Sequence, residues 1–214
     1  MLAGMTPSPA PDQPLLECRG LAFSRNEEAI FGPLDFELLP GMALQVLGGN
    51  GSGKTTLLRV LAGLLPASEG LIRCDGDPVD QDHLARGCAF VGHLFGHKAE
   101  LTAAENLRFT AAMHNSSLDP LQALAEVGLA GHEYSLGRRL SAGQNKRLSL
   151  ARLRLSSARL WLLDEPYANL DLDGIGLVNA LIGGPISRHG AVLLTTHGAY
   201  AAPPVPMRTL SLDA

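Results

Sequence analysis

The sequence predicts an α/β protein with a mixed β-sheet core, an antiparallel β subdomain and a helical arm. Two observations lead to this fold class. β-rich segments at residues 15–47 and 71–74 precede a helical stretch at about 94–157, and short apolar runs then alternate with helical patterns again. The 214 residues are enough for one compact domain with a substantial core. We therefore expect a single domain over residues 15–214, with a helical subdomain at about 94–157 and a flexible tail at 1–14.

The first chemical motif is a glycine-rich octet that follows the apolar run at residues 42–47 and precedes a helical stretch at 56–65. Strand, loop and helix in this order are typical of a phosphate-binding loop, because glycines permit a tight turn and a helix N-terminus favours an anion. We expect the Lys54 ammonium to contact the β- and γ-phosphates of a nucleotide and the Thr55 hydroxyl to ligate Mg²⁺. The alternative is a glycine-rich turn without a ligand. The nucleotide-binding residues predicted from this motif are Gly48, Gly49, Asn50, Gly51, Ser52, Gly53, Lys54, Thr55 and Thr56.

A carboxylate pair follows a second apolar run. Residues 160–163 read Leu-Trp-Leu-Leu, which is typical of a buried strand, and Asp164 and Glu165 come directly after it. At the carboxyl end of a strand, Asp164 is placed to hold Mg²⁺ through water, and Glu165 to orient and deprotonate an attacking water molecule. The alternative is an acidic turn exposed to solvent, which the phosphate loop elsewhere in the chain disfavours.

Between these two motifs lies the pentapeptide Leu-Ser-Ala-Gly-Gln at residues 140–144, followed by a helical pattern at 148–155. Taken alone, Ser141 could simply cap that helix. The pentapeptide resembles the signature motif of ATP-binding cassette proteins, LSGGQ, with Ala142 in place of the first glycine. The resemblance implies a P-loop ATP-binding cassette fold, with ATP and Mg²⁺ as its ligands. The residues that match the signature are Ser141, Ala142, Gly143 and Gln144.

The resemblance to cassette proteins extends over residues 15–212. Residues 168–171, Ala-Asn-Leu-Asp, resemble the D-loop at the dimer interface, and residues 195–197, Thr-Thr-His, resemble the switch histidine after a buried strand. This implies that His197 contacts the γ-phosphate, although a polar residue that only caps the strand is the alternative. It also implies a second copy of the chain as a partner, packed head to tail so that the signature of one copy faces the phosphate loop of the other.

Two positions depart from the common cassette pattern. His93 stands where most cassettes have a glutamine that contacts Mg²⁺ and the membrane partner, and a neutral imidazole can still accept a hydrogen bond from a metal-bound water. Arg25 stands where an aromatic ring usually stacks on adenine, and a planar guanidinium can take that role. The alternatives are a loop histidine that serves the membrane partner and a surface arginine exposed to solvent. We keep His93 as a candidate for metal and Arg25 as one for nucleotide binding.

Residues 92–107 and the signature pentapeptide indicate one branch of the family. They resemble the ATPase subunits of bacterial haem exporters that serve cytochrome c maturation. The resemblance implies an ATP-hydrolysing subunit at the cytoplasmic face of the bacterial inner membrane, bound to integral membrane transporter subunits. Two other functions remain open: a soluble cassette ATPase that acts in assembly or repair without transport, and a module that binds ATP without turnover. Glu165 and His197, the predicted catalytic residues, argue against the last of these.

Charge and hydropathy narrow the choice of partners. The net charge of −4 argues against general nucleic-acid affinity. No apolar run approaches the roughly 20 residues that span a bilayer, so membrane contact is expected through a partner. A local basic patch is expected to flank the signature helix, and its members are Arg138, Arg139, Lys146 and Arg147.

The three cysteines do not predict a cross-link or a metal site. They are too far apart in the sequence for a complete disulfide framework or a zinc pair. We therefore expect buried thiols at Cys18, Cys74 and Cys88.

Overall fold

The computed structural model describes residues 13–92, 96–196 and 203–212. The candidates His93 and His197, and residues 1–12 of the predicted tail, lie outside these ranges. The described part of the chain forms nine strands and six α-helices, with one short 3₁₀ turn at Gly137–Arg139. In chain order the elements are β1 (Leu16–Arg25), β2 (Glu28–Leu38), β3 (Ala43–Leu47), α1 (Lys54–Leu61), β4 (Glu69–Cys74), β5 (Asp77–Pro78), α2 (Gln81–Gly87), β6 (Cys88–Val91), α3 (Ala103–Met113), α4 (Pro120–Glu126), α5 (Ala142–Arg154), β7 (Leu160–Leu163), α6 (Leu172–Ser187), β8 (Ala191–Thr195) and β9 (Met207–Ser211).

The larger sheet is the core of the molecule. Its five strands lie in the order β6-β7-β8-β3-β9, and every described pairing in it is parallel. Parallel neighbours need a crossover connection, which α6 provides between β7 and β8. β7 and β8 are buried along their whole lengths, because a central strand covered on both faces carries apolar side chains on both.

The second sheet is antiparallel, with strand order β2-β1-β4-β5. The predicted α/β class with an antiparallel β subdomain is therefore confirmed. We expected parallel and antiparallel pairings together in one mixed core sheet. Among the described residues, the core sheet is instead parallel, and the antiparallel pairings belong to the second sheet. β1 and β2 are joined by a two-residue turn at Asn26 and Glu27, whose φ angles are 51° and 66°. Positive φ at both central residues is typical of tight hairpins, because the backbone twist of such a turn matches that of the strands.

The core sheet packs apolar side chains on both faces. Along β7, Leu160 and Leu162 belong to the cluster that contains α1 and the antiparallel sheet, while Trp161 and Leu163 belong to the cluster that contains α5 and α6. This alternation follows from the two-residue period of a strand. The sheet is thus held between two layers.

The helical arm has an apolar core of its own. α3, α4 and α5 share a cluster of buried residues that includes Leu107, Leu124 and Leu148. α4 begins at Pro120, with the Asp119 carboxylate accepting a hydrogen bond from a backbone N–H at its N-terminus. No helix in residues 13–92, 96–196 and 203–212 is long and apolar enough to cross a membrane.

Parallel pairing brings the phosphate loop, the acidic pair and the start of the segment after β8 to one edge of the core sheet. Val46 of β3 is in register with Thr195 of β8, and Leu163 of β7 is in register with Leu194 of β8. The segments that leave the carboxyl ends of these strands therefore start side by side, which is where parallel α/β sheets place their ligand sites.

Candidate active site

The glycine-rich loop ends in a helix whose first turn has no side-chain cap. Gly53 precedes α1 with φ 90° and ψ 4°, and no side chain accepts a hydrogen bond from the first N–H groups of the helix. A side chain at position 53 would also place its Cβ 2.8 Å from the Ile30 carbonyl oxygen, so glycine is required there by conformation and by space. The uncapped N–H groups leave an N-terminus that can bind an anion.

The serine of the same loop has an unused hydroxyl. Ser52 Oγ is buried and has no hydrogen-bond partner in the described part of the chain. A buried hydroxyl without a partner is unfavourable by about 1 to 3 kcal/mol unless a ligand satisfies it. The loop therefore fits a phosphate group by its backbone and by this side chain.

Lys54 lies folded over the loop. Its side chain is buried, and Nζ donates hydrogen bonds to the carbonyl oxygens of Gly48 at 2.6 Å and Gly49 at 2.7 Å. These two contacts hold the ammonium above the turn where it is predicted to contact the phosphates. An ammonium has three donors, so a third N–H can still point to a ligand.

Asp164 lies between two threonine hydroxyls. Thr55 Oγ1 donates to Asp164 Oδ2 at 2.9 Å, and Thr195 Oγ1 donates to Asp164 Oδ1 at 2.8 Å. The residue is only 1% exposed, so these donors replace water around its carboxylate. The structure therefore brings together two of the three predicted metal-site residues, Thr55 and Asp164, while the third, His93, lies outside the described ranges. A hydroxyl and a carboxylate at this separation are oxygen ligands of the kind that Mg²⁺ prefers.

Glu165 has a backbone conformation that is rare for a non-glycine residue. Its φ of 50° lies in the left-handed region, which disfavours a side chain by about 1 to 2 kcal/mol. Its N–H donates to Thr195 Oγ1 at 2.9 Å, and its carbonyl oxygen accepts from Lys146 Nζ at 2.8 Å and from the Ala168 N–H at 3.2 Å. Strained residues of this kind are common where a side chain must take a defined direction.

The phosphate loop and the acidic pair line the same cleft. It has a volume of about 590 Å³ and opens at the edge of the core sheet. Arg25 is exposed at the end of β1 and is not among the residues that line the cleft, whereas Ile30 of β2 is. The lining residues are Ile30, Asn50, Gly51, Ser52, Gly53, Lys54, Thr55, Thr56, Asp164, Glu165 and Ala168.

The signature residues begin α5 and lie outside the lining of the cleft. Ser141 caps the helix: its Oγ accepts from the Gln144 N–H at 3.2 Å, and Gln144 Oε1 accepts from the Ser141 N–H at 2.8 Å. Ala142 is the first helical residue and is not among the described non-glycine residues with positive φ. Its methyl group therefore causes no backbone strain. A Cβ at Gly143 would lie 3.4 Å from the Asn169 carbonyl oxygen, which places this end of α5 beside residues 168–171.

The segment that follows residues 93–95 is attached to two helices of the arm. His97 Nε2 lies 2.7 Å from Asn145 Oδ1 of α5. Asn106 of α3 binds the backbone of Lys98 twice, accepting from its N–H at 2.8 Å and donating to its carbonyl oxygen at 3.0 Å. This segment therefore moves with the arm that carries the signature.

No role in the site was predicted from the sequence for Thr195 or Lys146. Thr195 was noted only as part of a family pattern, yet its hydroxyl joins Asp164 and Glu165. Lys146 was expected in a local basic patch flanking the signature helix; it lies on that helix but is only 5% exposed, and it reaches Glu165. A polar residue at the end of the buried β8 strand was the available signal for Thr195. No local pattern distinguishes Lys146 from Arg147.

The cysteines lie away from the site. Cys18 is buried, as expected, whereas Cys74 and Cys88 are partly buried and line one cavity of about 300 Å³ near the first residues of β6 and β7. Burial raises the pKa of each of these two thiols to about 11. They are therefore protonated at neutral pH and weak as nucleophiles.

Comparisons with known proteins agree with this geometry. A family model described as "ABC transporter" matches residues 31–168. The cytochrome c biogenesis ATP-binding export protein CcmA of Xanthomonas oryzae pv. oryzae (strain MAFF 311018) is 59% identical over 203 residues, which cover 94% of this chain and 95% of that protein. The protein of the same name from Vibrio vulnificus (strain YJ016) is 41% identical over 203 residues, covering 92% and 99%.

Two solved structures share the fold. The ATP-binding subunit of an ABC transporter superposes with a TM-score of 0.76 at 24% identity, covering 86% of this chain and 79% of that one. The protein cbiO1 of Clostridium perfringens, described as part of the ABC transporter complex cbiONQ, superposes with a TM-score of 0.70 at 24% identity, covering 87% and 80%. At these identities the likeness concerns the fold.

Proposed function

Because the chain belongs to the ABC transporter family and is closely similar to cytochrome c biogenesis ATP-binding export proteins, we propose that it is the ATP-hydrolysing subunit of a haem exporter. The observation that carries the proposal is one cleft in which the uncapped, glycine-rich start of α1 lies beside Asp164 and Glu165. An anion site next to two carboxylates is suited to cleaving a phosphoanhydride rather than only holding a nucleotide.

ATP binds with its phosphates on the loop at residues 48–53 and the first turn of α1. The backbone N–H groups, Ser52 Oγ and the remaining Lys54 N–H supply the donors, which is supported by the absence of a side-chain cap and by the unpaired Ser52 hydroxyl. The nucleoside end of ATP extends toward the antiparallel sheet, where Ile30 offers an apolar surface. Arg25 stays a candidate for adenine stacking only if the side chain swings from its exposed position.

Thr55 and Asp164 hold Mg²⁺, which when bound neutralises phosphate charge during phosphoryl transfer. Their oxygen atoms lie 2.9 Å apart, and Thr195 fixes the second carboxylate oxygen of Asp164. The metal role of His93 and the γ-phosphate contact of His197 rest on the family resemblance alone, since both residues lie outside the described ranges.

Glu165 acts as the general base. Its carboxylate orients a water molecule for attack on the γ-phosphorus and takes the proton as the bond to the ADP oxygen breaks, which yields ADP and phosphate. The support is its place in the lining of the cleft, directly after the metal-site residue Asp164, on a backbone held at both its N–H and its carbonyl.

A second copy of the chain completes the site. Ser141 and Gly143 lie outside the lining of the cleft, so in this proposal they serve the ATP of a partner copy. The N-terminal end of α5 would then supply hydrogen-bond donors to the γ-phosphate.

Integral membrane subunits bind the arm, at the cytoplasmic face of the bacterial inner membrane. Three large apolar side chains stay exposed where the arm meets the core sheet: Leu64 is 56% exposed, Phe109 54% and Met113 67%. Leu64 and Met113 line a cavity of about 230 Å³ there. The attachment of residues 97–98 to α3 and α5 gives a path from this surface to the signature.

Recovery of the full-length chain from its native membrane in mild detergent tests the export function. An integral membrane partner should copurify with the wild-type chain and be lost in Met113→Asp. Leu71→Asp, which changes a 38% exposed residue of the antiparallel sheet, serves as the control and should retain the partner. A complex made only of soluble proteins would instead favour an ATPase that acts in assembly or repair. Phosphate release by the same preparations, with Lys54→Ala as the inactive reference, tests the hydrolytic activity separately.

A further inference from the structure

We infer that Lys146 of α5 is a positioning residue for Glu165, linking the signature helix of each chain to the catalytic carboxylate of that same chain. The inference rests on the proposed role of Glu165 as the general base. Lys146 Nζ donates to the Glu165 backbone carbonyl at 2.8 Å, and the lysine is only 5% exposed. It does not line the ATP cleft, and the one hydrogen bond that its ammonium makes within the described residues goes to the backbone of Glu165.

The environment of Lys146 differs from that of Arg147 and Arg154 on the same helix. Arg147 and Arg154 bind the side-chain carboxylates of Asp171 and Glu126, respectively. The Lys146 ammonium is instead enclosed beside the acidic pair. Burial lowers its pKa, whereas the charges of Asp164 and Glu165 raise it. A buried ammonium is unfavourable without partners, so its retention here needs a compensating contact, which the Glu165 carbonyl supplies.

The contact explains how Glu165 keeps a left-handed φ of 50°. Thr195 Oγ1 accepts from the N–H of Glu165, and Lys146 donates to its carbonyl, so the peptide groups on both sides of its Cα are held. Removing the ammonium takes away the shorter of two hydrogen bonds to this carbonyl, which also accepts from the Ala168 N–H at 3.2 Å, so the ψ angle of Glu165 is held less firmly. The carboxylate then leaves the line of attack, and a displacement of about 1 Å is enough to slow a reaction about 100-fold.

The position of Lys146 on α5 shows which other segments the contact with Glu165 connects. The helix begins with the signature at Ser141, and Asn145 of the same turn binds His97 in the segment after residues 93–95. Two adjacent residues of α5 therefore make these connections: Asn145 binds the segment proposed to contact the membrane partner, and Lys146 binds the backbone of Glu165. A shift of α5 reaches the general base without passing through the nucleotide.

A purely structural role for Lys146 predicts a different result. Loss of a buried contact that only supports packing lowers the thermal stability and weakens ATP binding and turnover together. A positioning role lowers kcat and leaves KM for ATP unchanged, because the phosphate loop keeps all its contacts.

The test compares full-length Lys146→Met, which keeps the length of the side chain but has no donor, with Lys146→Arg, which keeps a charged donor. Arg154→Met is the matched control, because it removes a cation from the same helix that contacts Glu126 rather than the catalytic loop. We expect kcat for phosphate release to fall at least about 10-fold in Lys146→Met, with KM for ATP within about twofold of the wild type. Lys146→Arg should recover most of the loss, and Arg154→Met should retain wild-type kcat.

A double variant decides whether Lys146 acts through Glu165. Adding Lys146→Met to Glu165→Gln should leave the residual single-turnover rate within about twofold, because the group that it positions is already disabled. Additive losses, or an unchanged kcat in Lys146→Met, would overturn the inference. If Lys146→Met lacks a cooperative melting transition, Lys146→Leu, which also has no donor, takes its place and must show the same loss confined to kcat. An inactive wild type or a fully active Glu165→Gln would instead refute the proposed function.

Discussion

Replacing Thr195 with valine removes one hydroxyl and nearly nothing else, and that hydroxyl joins both acidic residues of the site. It donates to Asp164 Oδ1 at 2.8 Å and accepts from the Glu165 N–H at 2.9 Å, in a side chain with no exposed surface. The first loss takes a donor from a buried carboxylate and the second leaves a buried N–H without its acceptor. Each is unfavourable by about 1 to 3 kcal/mol.

The two losses together should lower the free energy of unfolding by about 2 to 6 kcal/mol, a large share of the 5 to 15 kcal/mol typical of a domain. Urea unfolding at pH 7, followed by circular dichroism, measures this as a shift of the midpoint at constant slope. Phosphate release should fall as well, since both acids lose their orientation.

The matched control is Thr209→Val, the same chemical change on the exposed face of β9, which should alter stability by less than about 0.5 kcal/mol. The reasoning is refuted if the two valine variants unfold at the same urea concentration. It is also refuted if Thr195→Val keeps wild-type turnover.

Three further predictions address the dimer, the signature and an ion pair of the arm. Glu165→Gln should bind ATP and Mg²⁺ but remain a stable dimer on size-exclusion chromatography, because the amide keeps the shape but cannot take the proton; a monomer under saturating ATP would contradict this. Ala142→Gly should change the ATPase rate by less than about threefold, since the first helical position bears no strain that glycine would relieve and loses at most about 1 kcal/mol of helix propensity; a larger loss would show that the methyl packs against the partner copy. The hydrogen bond from Arg154 lowers the pKa of Glu126 below 4.5, so its stabilisation is present above that pH and is lost as the carboxylate protonates below it. Urea unfolding should therefore find Glu126→Gln less stable than the wild type by up to about 1 kcal/mol at pH 7, with a difference that shrinks as the pH falls through the lowered pKa of Glu126, and a difference that does not shrink in acid would exclude this ion pair as the cause.

The features that the sequence predicted best are those encoded by neighbouring residues. The apolar run before the phosphate loop, the helical stretch predicted at 56–65 and the buried strand before Asp164 are all local patterns. The structure contains each of them, although the helix runs from Lys54 to Leu61, two residues earlier at its start and four at its end than predicted. The proximity of Thr55 and Asp164 also followed, because both leave carboxyl ends of strands in one parallel sheet.

What the sequence could not supply was the set of contacts between distant segments. Lys146 and Arg147 are adjacent basic residues, and only the packing of α5 against the core decides which of them is buried. Cys74 and Cys88 are separated by a helix in the chain, yet they line one cavity because their strands belong to two sheets that meet there. The orientation of one sheet relative to another is a global property that leaves no local signal.

The capping box at the start of α5 means that the two interpretations of Ser141 do not compete. A hydroxyl group has one hydrogen to give and two lone pairs to share. The cap uses a lone pair, since Ser141 Oγ accepts from the Gln144 N–H. In the proposed dimer, its hydrogen would be left for a phosphate oxygen of the neighbouring copy, so the same hydroxyl group would stabilise its own helix and recognise the other copy's nucleotide.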